Sequence, residues 1–304
     1  MSELKPLISV IMNCHNGSKF LEESVNSVIS QTYKNWELIF WDNQSNDKSA
    51  KILKRYNDKR IRYFYSLKKE KLYKARYLAV KRSKGEILTF IDVDDLWIKT
   101  KLEKQVNFFK KNPNSEIVYS NYYVIKKFFN FFIKKKKYSN FLPSGNITNN
   151  LFNNYCVGWL TIAIKKKIFS LKKNFFKERL NMIADFELII RLSLKKKIYS
   201  LQEPLAIYRQ HPNQLTRQNF YDQVNHYLKW YNIIRHKKNY NRNYNFHKLK
   251  SKIIFFKAII QLKKNNSSFR DMIKFFFKLD FKNFLKLIIF FISPNLYIKY
   301  IMRI

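Results

Sequence analysis

The sequence predicts an α/β fold: a mixed, mainly parallel sheet with helices on both faces, followed by a C-terminal helical appendage. Three observations carry this. Short apolar runs alternate with helical patterns about every 20–30 residues through the first part of the chain, the mark of a parallel sheet covered on both sides. Two of the runs stop abruptly in carboxylate- and amide-rich clusters, at 41–47 and at 91–95. From about residue 239 the texture changes to Phe, Ile and Leu interleaved with Lys.

The elements follow in order. Residues 7–12 are apolar apart from Ser9, as a strand buried on both faces should be. Gly17 and Ser18 open a helix whose Leu21, Val25, Val28 and Ile29 fall at helical spacing. Strands are expected at 36–41, 61–65 and 86–91, and helices at 47–56 and 72–81, the second ended by Gly85. A helix over 99–111 stops at Asn112-Pro113, and a strand is expected at 117–120. Residues 121–138 read as a β-hairpin with a Phe-rich and Lys-rich turn region, 157–164 as a strand and 184–194 as a helix. The tail should hold helices at 249–262, 269–277 and 281–292.

Composition narrows the function classes. The chain has 304 residues, 46% of them hydrophobic, with only 4 Gly and 6 Pro, so it can bury a core and is no linker or collagen-like polymer. Cys14 and Cys156 are far apart and form neither metal-ligand spacing nor a disulfide framework, which makes a reducing, cytoplasmic setting the expectation. The formal charge of +39 admits three readings: nucleic acid, an anionic membrane surface, or lysines spread over a solvated surface. The start of the chain does not read as a signal peptide, because its apolar run breaks at Asn13. No apolar run reaches the length of a membrane span; the longest, 287–298, is interrupted by Ser293, Pro294 and Asn295.

Chemistry concentrates at strand ends. In Ile91-Asp92-Val93-Asp94-Asp95 a buried strand delivers three carboxylates at its carboxyl end, where open α/β sheets bind ligands. Alternation sends Asp92 and Asp94 to one side and Val93 to the core. Carboxylates suit hard cations such as Mg²⁺ or Mn²⁺ shared with substrate phosphates; the rival reading is an Asp-rich turn. In Trp41-Asp42-Asn43-Gln44-Ser45-Asn46-Asp47, Asp42 is placed to accept from a base N–H, while capping explains Asn46 and Asp47.

These pieces, in this order, resemble family 2 glycosyltransferases of the GT-A fold. The stretch ISVIMNCHNGSKFLEESVNSVISQTYKNWELIFWDNQSNDKS carries the opening strand with its N-x-x-N-G turn, the Q-T-Y-x-N-W-E run and the D-x-x-S-x-D turn. The match continues through Ala75-Arg76, Lys84-Gly85-Glu86 and Asp92 to Asp95, closely over 6–120 and more loosely over 121–217. The resemblance implies a GT-A-type, Rossmann-like sheet with a nucleotide-sugar-binding half at 1–120, an acceptor-binding half at 121–238 and a basic amphipathic tail at 239–304. It implies that the backbone around Asn13 and His15 lines the nucleotide site, that Asp42 meets the base, that Arg76 approaches the donor, and that Asp92 and Asp94 hold ribose and metal. Tyr77 stands where the family usually has Asn, and no Gly precedes Ala75-Arg76 closely.

Asp185, at the start of the 184–194 helix, matches the family's general base; Glu187 is a rival in the same turn, and a helix-dipole carboxylate is the structural alternative. Tyr208-Arg209-Gln210-His211 resembles the Y-R-x-H segment, which puts His211 near the diphosphate or metal. The implied reaction is metal-dependent (Mn²⁺ or Mg²⁺) and inverting. It takes a nucleotide diphosphate sugar donor and a saccharide or lipid-linked acceptor, in envelope polysaccharide or lipopolysaccharide synthesis. No nucleic-acid partner is expected. A nucleotidyltransferase would need a Gly-rich phosphate loop, which is absent; a degenerate transferase fold used as a basic nucleic-acid- or membrane-binding protein is the other alternative. In the tail, Phe275, Phe276, Leu279, Phe284, Leu287 and Ile288 with Lys274, Lys278, Lys282 and Lys286 either lie on the inner face of an anionic membrane or cover the catalytic core.

Overall fold

The computed structural model describes residues 5–128, 131–169, 175–264, 279 and 281–292. It divides into two compact units, one of 1–147 with 156–214 and one of 148–155 with 215–304.

The first unit is built on a sheet of nine strands among the described residues: β1 (Ile8–Cys14), β2 (Trp36–Asp42), β3 (Ile61–Tyr65), β4 (Ile87–Asp92), β5 (Leu96–Trp97), β6 (Ile117–Phe128), β7 (Phe131–Lys136), β8 (Ala163–Lys165) and β9 (Tyr199–Gln210). Their order is β3-β2-β1-β4-β8-β6-β9-β5, with β7 paired to β6 off that path. The first four strands are parallel, and β8 joins β4 antiparallel. Every residue of β1 and β2 is buried, so both faces are covered, which is why these strands read as unbroken apolar runs. Helices α1 (Ser18–Ile29), α2 (Ser49–Lys54) and α4 (Lys101–Lys111) bury Leu21, Val25, Val28, Leu53, Leu102 and Val106 against Val10, Met12, Leu38 and Phe40. Helix α3 (Leu72–Arg82) packs on β1 and β2 through Ala75 and Ala79.

Two buried polar groups set the sheet's amino edge. Glu37 of β2 accepts from the Ser9 hydroxyl at 2.6 Å, from the N–H groups of Lys84 and Gly85, and from Arg62 at 2.6 Å. The Glu of the Q-T-Y-x-N-W-E run is therefore a bracket that holds the entry to β4. Gly85 is required there, since a Cβ would meet the Ser9 nitrogen at 2.6 Å and the Leu7 carbonyl at 2.7 Å, both backbone.

Three elements depart from the sequence reading. The expected strand at 157–164 is mostly a 3₁₀ turn over Trp159–Thr161, and only β8 is extended. The Thr161 hydroxyl and N–H both return to the Gly158 carbonyl and close that turn. The expected strand at 117–120 and the first arm of the hairpin are one strand, β6, with register shifts at Ser120, Asn121 and Tyr122. Pro204 sits opposite Asn121 at that irregularity, where a missing N–H is tolerated, so β9 runs unbroken through a proline. Helix α6 (Ala184–Ser193) falls where the apolar spacing puts it.

The second unit is helical: α5 (Thr148–Asn153), α7 (Leu215–Gln218), α8 (Phe220–Ile234), α9 (Lys238–Asn241), α10 (Phe246–Lys264) and α11 (Phe281–Ile292). Leu287, Phe284 and Ile288 of α11 pack with Val224 of α8 and Phe255, Phe256 and Ile259 of α10 in a cluster of their own. A neighbouring stripe of α11, Phe281, Leu285 and Ile289, is exposed. The expected helix at 269–277, with Lys274, Phe275, Phe276 and Lys278, and the Ser293, Pro294 and Asn295 interruption lie outside the described residues. Among the described residues no helix is long and apolar enough to cross a membrane.

Candidate functional site

Parallel register brings the polar ends of three strands into one row. Asn13 of β1 lies opposite Trp41 of β2 on one side and Asp92 of β4 on the other, and Cys14 lies opposite Asp42. The row is the carboxyl edge of the sheet, where strand ends leave backbone and side chains free to meet a ligand.

Each residue singled out by the sequence has a definite place. Asn13 is 8% exposed, and neither its amide nitrogen nor its amide oxygen has a hydrogen-bond partner. A buried amide left unmet is costly and points to a ligand or water that completes it. His15 is exposed and donates from Nδ1 to the Asn43 carbonyl at 3.1 Å. Asp42 is fully buried; one oxygen accepts the Ser45 N–H and the other the Tyr63 hydroxyl, both at 2.8 Å. That bond and burial push the Tyr63 hydroxyl pKa upward.

The D-x-x-S-x-D turn staples the β1–α1 turn. Ser45 and Ser49 hydroxyls accept the N–H groups of Asn16 and Gly17, and Asp47 accepts those of Ser18 and Ser49. Asp47 thus caps α1 as well as α2, while Asn46 enters through its backbone N–H. Despite partial burial, these donors hold the Asp47 carboxyl down to about 2. The N–H groups that lead into α1, from Asn16 to Ser18, are spent on these bonds. Asn16, at φ 56°, takes the left-handed conformation that Asn tolerates, which accounts for the Asn of the turn motif.

Around β4 the charges converge. Arg76 of α3 is 3% exposed and donates to Asp92 Oδ1 at 2.5 Å. Its guanidinium lies over the rings of Tyr73, at 4.6 Å, and Trp159, at 5.7 Å. Burial alone would lower its pKa; the Asp92 carboxylate more than offsets this and holds it charged. Beyond β4, Asp94 Oδ2 accepts from His211 Nε2 at 2.8 Å. Burial and the neighbouring Asp92 raise the Asp94 carboxyl, against the pull of His211. Asp95 is buried and accepts the Arg209 N–H at 3.1 Å, while Arg209 Nε donates to the Asp94 carbonyl at 3.1 Å and its guanidinium pairs with Glu23 at 2.9 Å. The short strand β5, antiparallel to β9, draws the Asp-rich turn and the Arg209–His211 segment together.

Asp185 opens α6 and accepts the Phe186 N–H at 2.8 Å. Burial raises its carboxyl pKa; the Arg76 charge and a hydrogen bond from Tyr73 work against that rise. Glu187, two residues on, is fully buried and closed by Lys177 at 2.9 Å and Arg191 at 3.0 Å. Asp185 and Asp92 therefore share one cation, Arg76, whereas Glu187 has cations of its own.

Among the described residues no group of three or more His, Cys, Asp or Glu side chains is arranged to hold a metal by itself. Asp94 supplies carboxylate oxygens, which suit a hard divalent cation shared with diphosphate oxygens and water; His211 Nε2, which donates to Asp94 here, would join only after giving up that bond. Sequence reasoning passed over Tyr73 and Trp159. Tyr73 had a signal, lying one helical turn before Arg76; Trp159, whose buried indole N–H also lacks a partner, had none.

Comparison with known proteins places this geometry. The profile described as Glycosyl transferase family 2 matches residues 9–170. The chain is 33% identical over 163 residues to the UDP-Glc:alpha-D-GlcNAc-diphosphoundecaprenol beta-1,3-glucosyltransferase WfgD of Escherichia coli, covering 53% of this chain and 61% of that protein. It is 39% identical over 110 residues to the putative teichuronic acid biosynthesis glycosyltransferase TuaG of Bacillus subtilis, covering 36% of this chain and 44% of that protein. The chain thus spans less than two thirds of the length of these curated relatives. Residues 1–349 of S. aureus TarS, solved in complex with UDP, superpose with a TM-score of 0.65 at 17% identity, over 92% of this chain and 80% of that one, a likeness of fold.

Proposed function

Since the chain belongs to glycosyl transferase family 2, we propose that it moves a sugar from a nucleotide diphosphate donor to an acceptor hydroxyl in a single inverting displacement, in the synthesis of an envelope polysaccharide. The observation that carries this reading is the pairing of Asn13 with Asp92 in one row, with Arg76 of α3 bonded to Asp92, Asp94–His211 bonded beyond it and Asp185 in the field of Arg76. The names of the relatives, one acting on a diphosphoundecaprenol-linked sugar and one in teichuronic acid synthesis, support a lipid-linked or envelope acceptor.

In this reading the base of the donor lies against the turn that Asp42 shapes, near His15, and the ribose meets Asp92 and the unmet amide of Asn13. Arg76, held charged and fixed by two aromatic rings, faces the donor. Asp94 and His211 would hold Mn²⁺ or Mg²⁺, which when bound neutralises charge on the leaving diphosphate. Asp185 takes the proton of the acceptor hydroxyl; its raised pKa makes it a better base than an ordinary carboxylate, and α6 holds it on a rigid element. Glu187 cannot serve without breaking its two ion pairs.

Release of nucleoside diphosphate from a panel of nucleotide sugars, with and without Mn²⁺ or Mg²⁺, tests the proposal. One donor should be turned over, chelation should abolish the reaction, and Asp94→Ala should stay folded yet lose activity. Full turnover in chelator would overturn the metal assignment, and no turnover of any donor would overturn the transferase reading. The tail is proposed to add an anionic membrane contact through the exposed stripe of α11.

A further inference from the structure

The β6–β7 hairpin has no part in this chemistry, yet its composition is extreme. Residues 126–137 read KKFFNFFIKKKK, with six lysines, four phenylalanines and no carboxylate. Phe132 is 64% exposed and Ile133 47% exposed, and Lys126, Lys127, Lys134, Lys135 and Lys136 are exposed as well. Leaving large apolar side chains in water forgoes their burial, so a contiguous pair at the end of a hairpin marks a contact surface.

The hairpin's position matters as much as its content. Strand β6 pairs in parallel with β9 as far as Lys126 opposite Gln210, the residue before His211. The two arms then continue to Phe128 opposite Phe131, two residues beyond that level, or roughly 7 Å at strand rise. The hairpin therefore rises from the same edge of the sheet that carries Arg209, His211 and Asp94, with Ile133 level with Gln210 and Phe132 one residue beyond it. Behind that end, Lys134, Lys135 and Lys136 run back along β7.

Three occupants compete for such a surface. A second copy pairing along β7 is disfavoured, because consecutive lysines on an edge strand repel another strand. Single-stranded nucleic acid would use aromatic stacking with Arg and amide readout, but 126–137 holds no arginine. A lipid bilayer fits the mixture of side chains: Phe132 and Ile133 are flanked across the ladder by Lys127 and Lys126, with Lys134, Lys135 and Lys136 behind, and long lysine stems let the ammonium groups reach lipid phosphates while the apolar groups enter the interface. The absence of any carboxylate fits an anionic leaflet.

We infer that the β6–β7 hairpin is a bilayer-docking element: Phe132 and Ile133 enter the interface of an anionic membrane, the lysines beside them take lipid phosphates, and the catalytic edge is presented to an acceptor anchored in that membrane. The last step rests on the transferase reading above; the docking itself does not. It deepens that reading by making the acceptor a membrane-bound substrate and not a free oligosaccharide.

Flotation of the full chain with phosphatidylcholine vesicles, with and without phosphatidylglycerol, tests the docking. The intact chain should float with the anionic vesicles. The Lys134→Gln, Lys135→Gln, Lys136→Gln variant should lose about five-fold in partitioning per lysine, and the Phe132→Ser, Ile133→Ser variant about ten-fold at unchanged charge. Both changes fall on exposed side chains, and circular dichroism checks the fold. Because Cys14 and Cys156 are buried, Phe132→Cys can be labelled selectively with an environment-sensitive fluorophore, whose emission should shift to the blue on anionic vesicles. Flotation of both variants equal to that of the intact chain, with no spectral shift, would overturn the inference. So would loss of affinity for a single-stranded oligonucleotide with vesicle binding unchanged, which would assign the lysines to nucleic acid. Donor turnover, measured separately without vesicles, reports on the transferase reading alone and should be the same in the hairpin variants.

Discussion

Two carboxylates two residues apart on α6 differ in everything but type. Asp185 faces Arg76 and Tyr73, while Glu187 is sealed between Lys177 and Arg191. Asp185→Asn should cut turnover by roughly 10²-fold or more and leave donor affinity nearly unchanged, because a base acts in the transition state. Glu187→Gln should instead lower stability by about 2 kcal/mol. That is below the usual cost of breaking a buried pair, since both cations keep access to water. Steady-state kinetics and urea unfolding of the two variants separate these outcomes; a larger kinetic loss at Glu187 would move the base two residues along. The sign of the pH effect follows as well. Asp185 works deprotonated and its pKa is raised by burial, so activity should begin to fall, as pH is lowered, above the ordinary carboxylate range. A pH–rate profile that stays flat down to about pH 4 would remove Asp185 from the reaction.

At the scale of elements, the turn after β2 is held by a carboxylate that the sequence reading assigns to helix capping. Asp47 ties α1 to α2 through the N–H groups of Ser18 and Ser49. Its folded pKa of about 2 lies below the unfolded value of about 3.9. The stability it contributes is therefore fully present above about pH 4 and is lost as pH falls through about 2. Asp47→Ala should cost about 1 kcal/mol at neutral pH, and the gap between variant and parent in urea unfolding should close toward pH 2. Gly85→Ala should cost more, about 3 kcal/mol, since the clash is with backbone on β1 that cannot move without breaking the β1–β4 pairing. Thermal unfolding of that variant near the parent's midpoint would show that the turn yields. The helix and strand positions through β4 were legible because β1, β2 and β4 are buried on both faces and each helix shows one apolar face. Strand β9 was not: its Pro204 and polar Ser200, Gln202 and Glu203 break the apolar pattern, and only pairing with β6 keeps it extended.

For the molecule as a whole, the charge of +39 and the exposed apolar residues of the hairpin and of α11 each bear on the proposed membrane contact. Replacing Phe281, Leu285 and Ile289 by Ser should weaken flotation with anionic vesicles by about ten-fold without unfolding the second unit, because the packed side of α11 is Phe284, Leu287 and Ile288. Raising salt from about 0.1 M to about 1 M, where the screening length falls from about 10 Å to about 3 Å, should remove most vesicle binding that depends on lysines. Retention at high salt would assign the contact to the apolar stripes alone. By itself the sequence determined the α/β class, the strand-end positions of Asn13, Asp42 and Asp92, and the family, because periodicity and local motif order are properties of neighbours in the chain. Only the tertiary structure decided that His211 meets Asp94 across more than a hundred residues, that Arg76 pairs with Asp92 within the electrostatic reach of Asp185, and that Glu187 is closed off. Those outcomes depend on the pairing of β5 with β9 and on the packing around α6, and no local pattern encodes a contact whose partners are brought together only by the closing of the sheet.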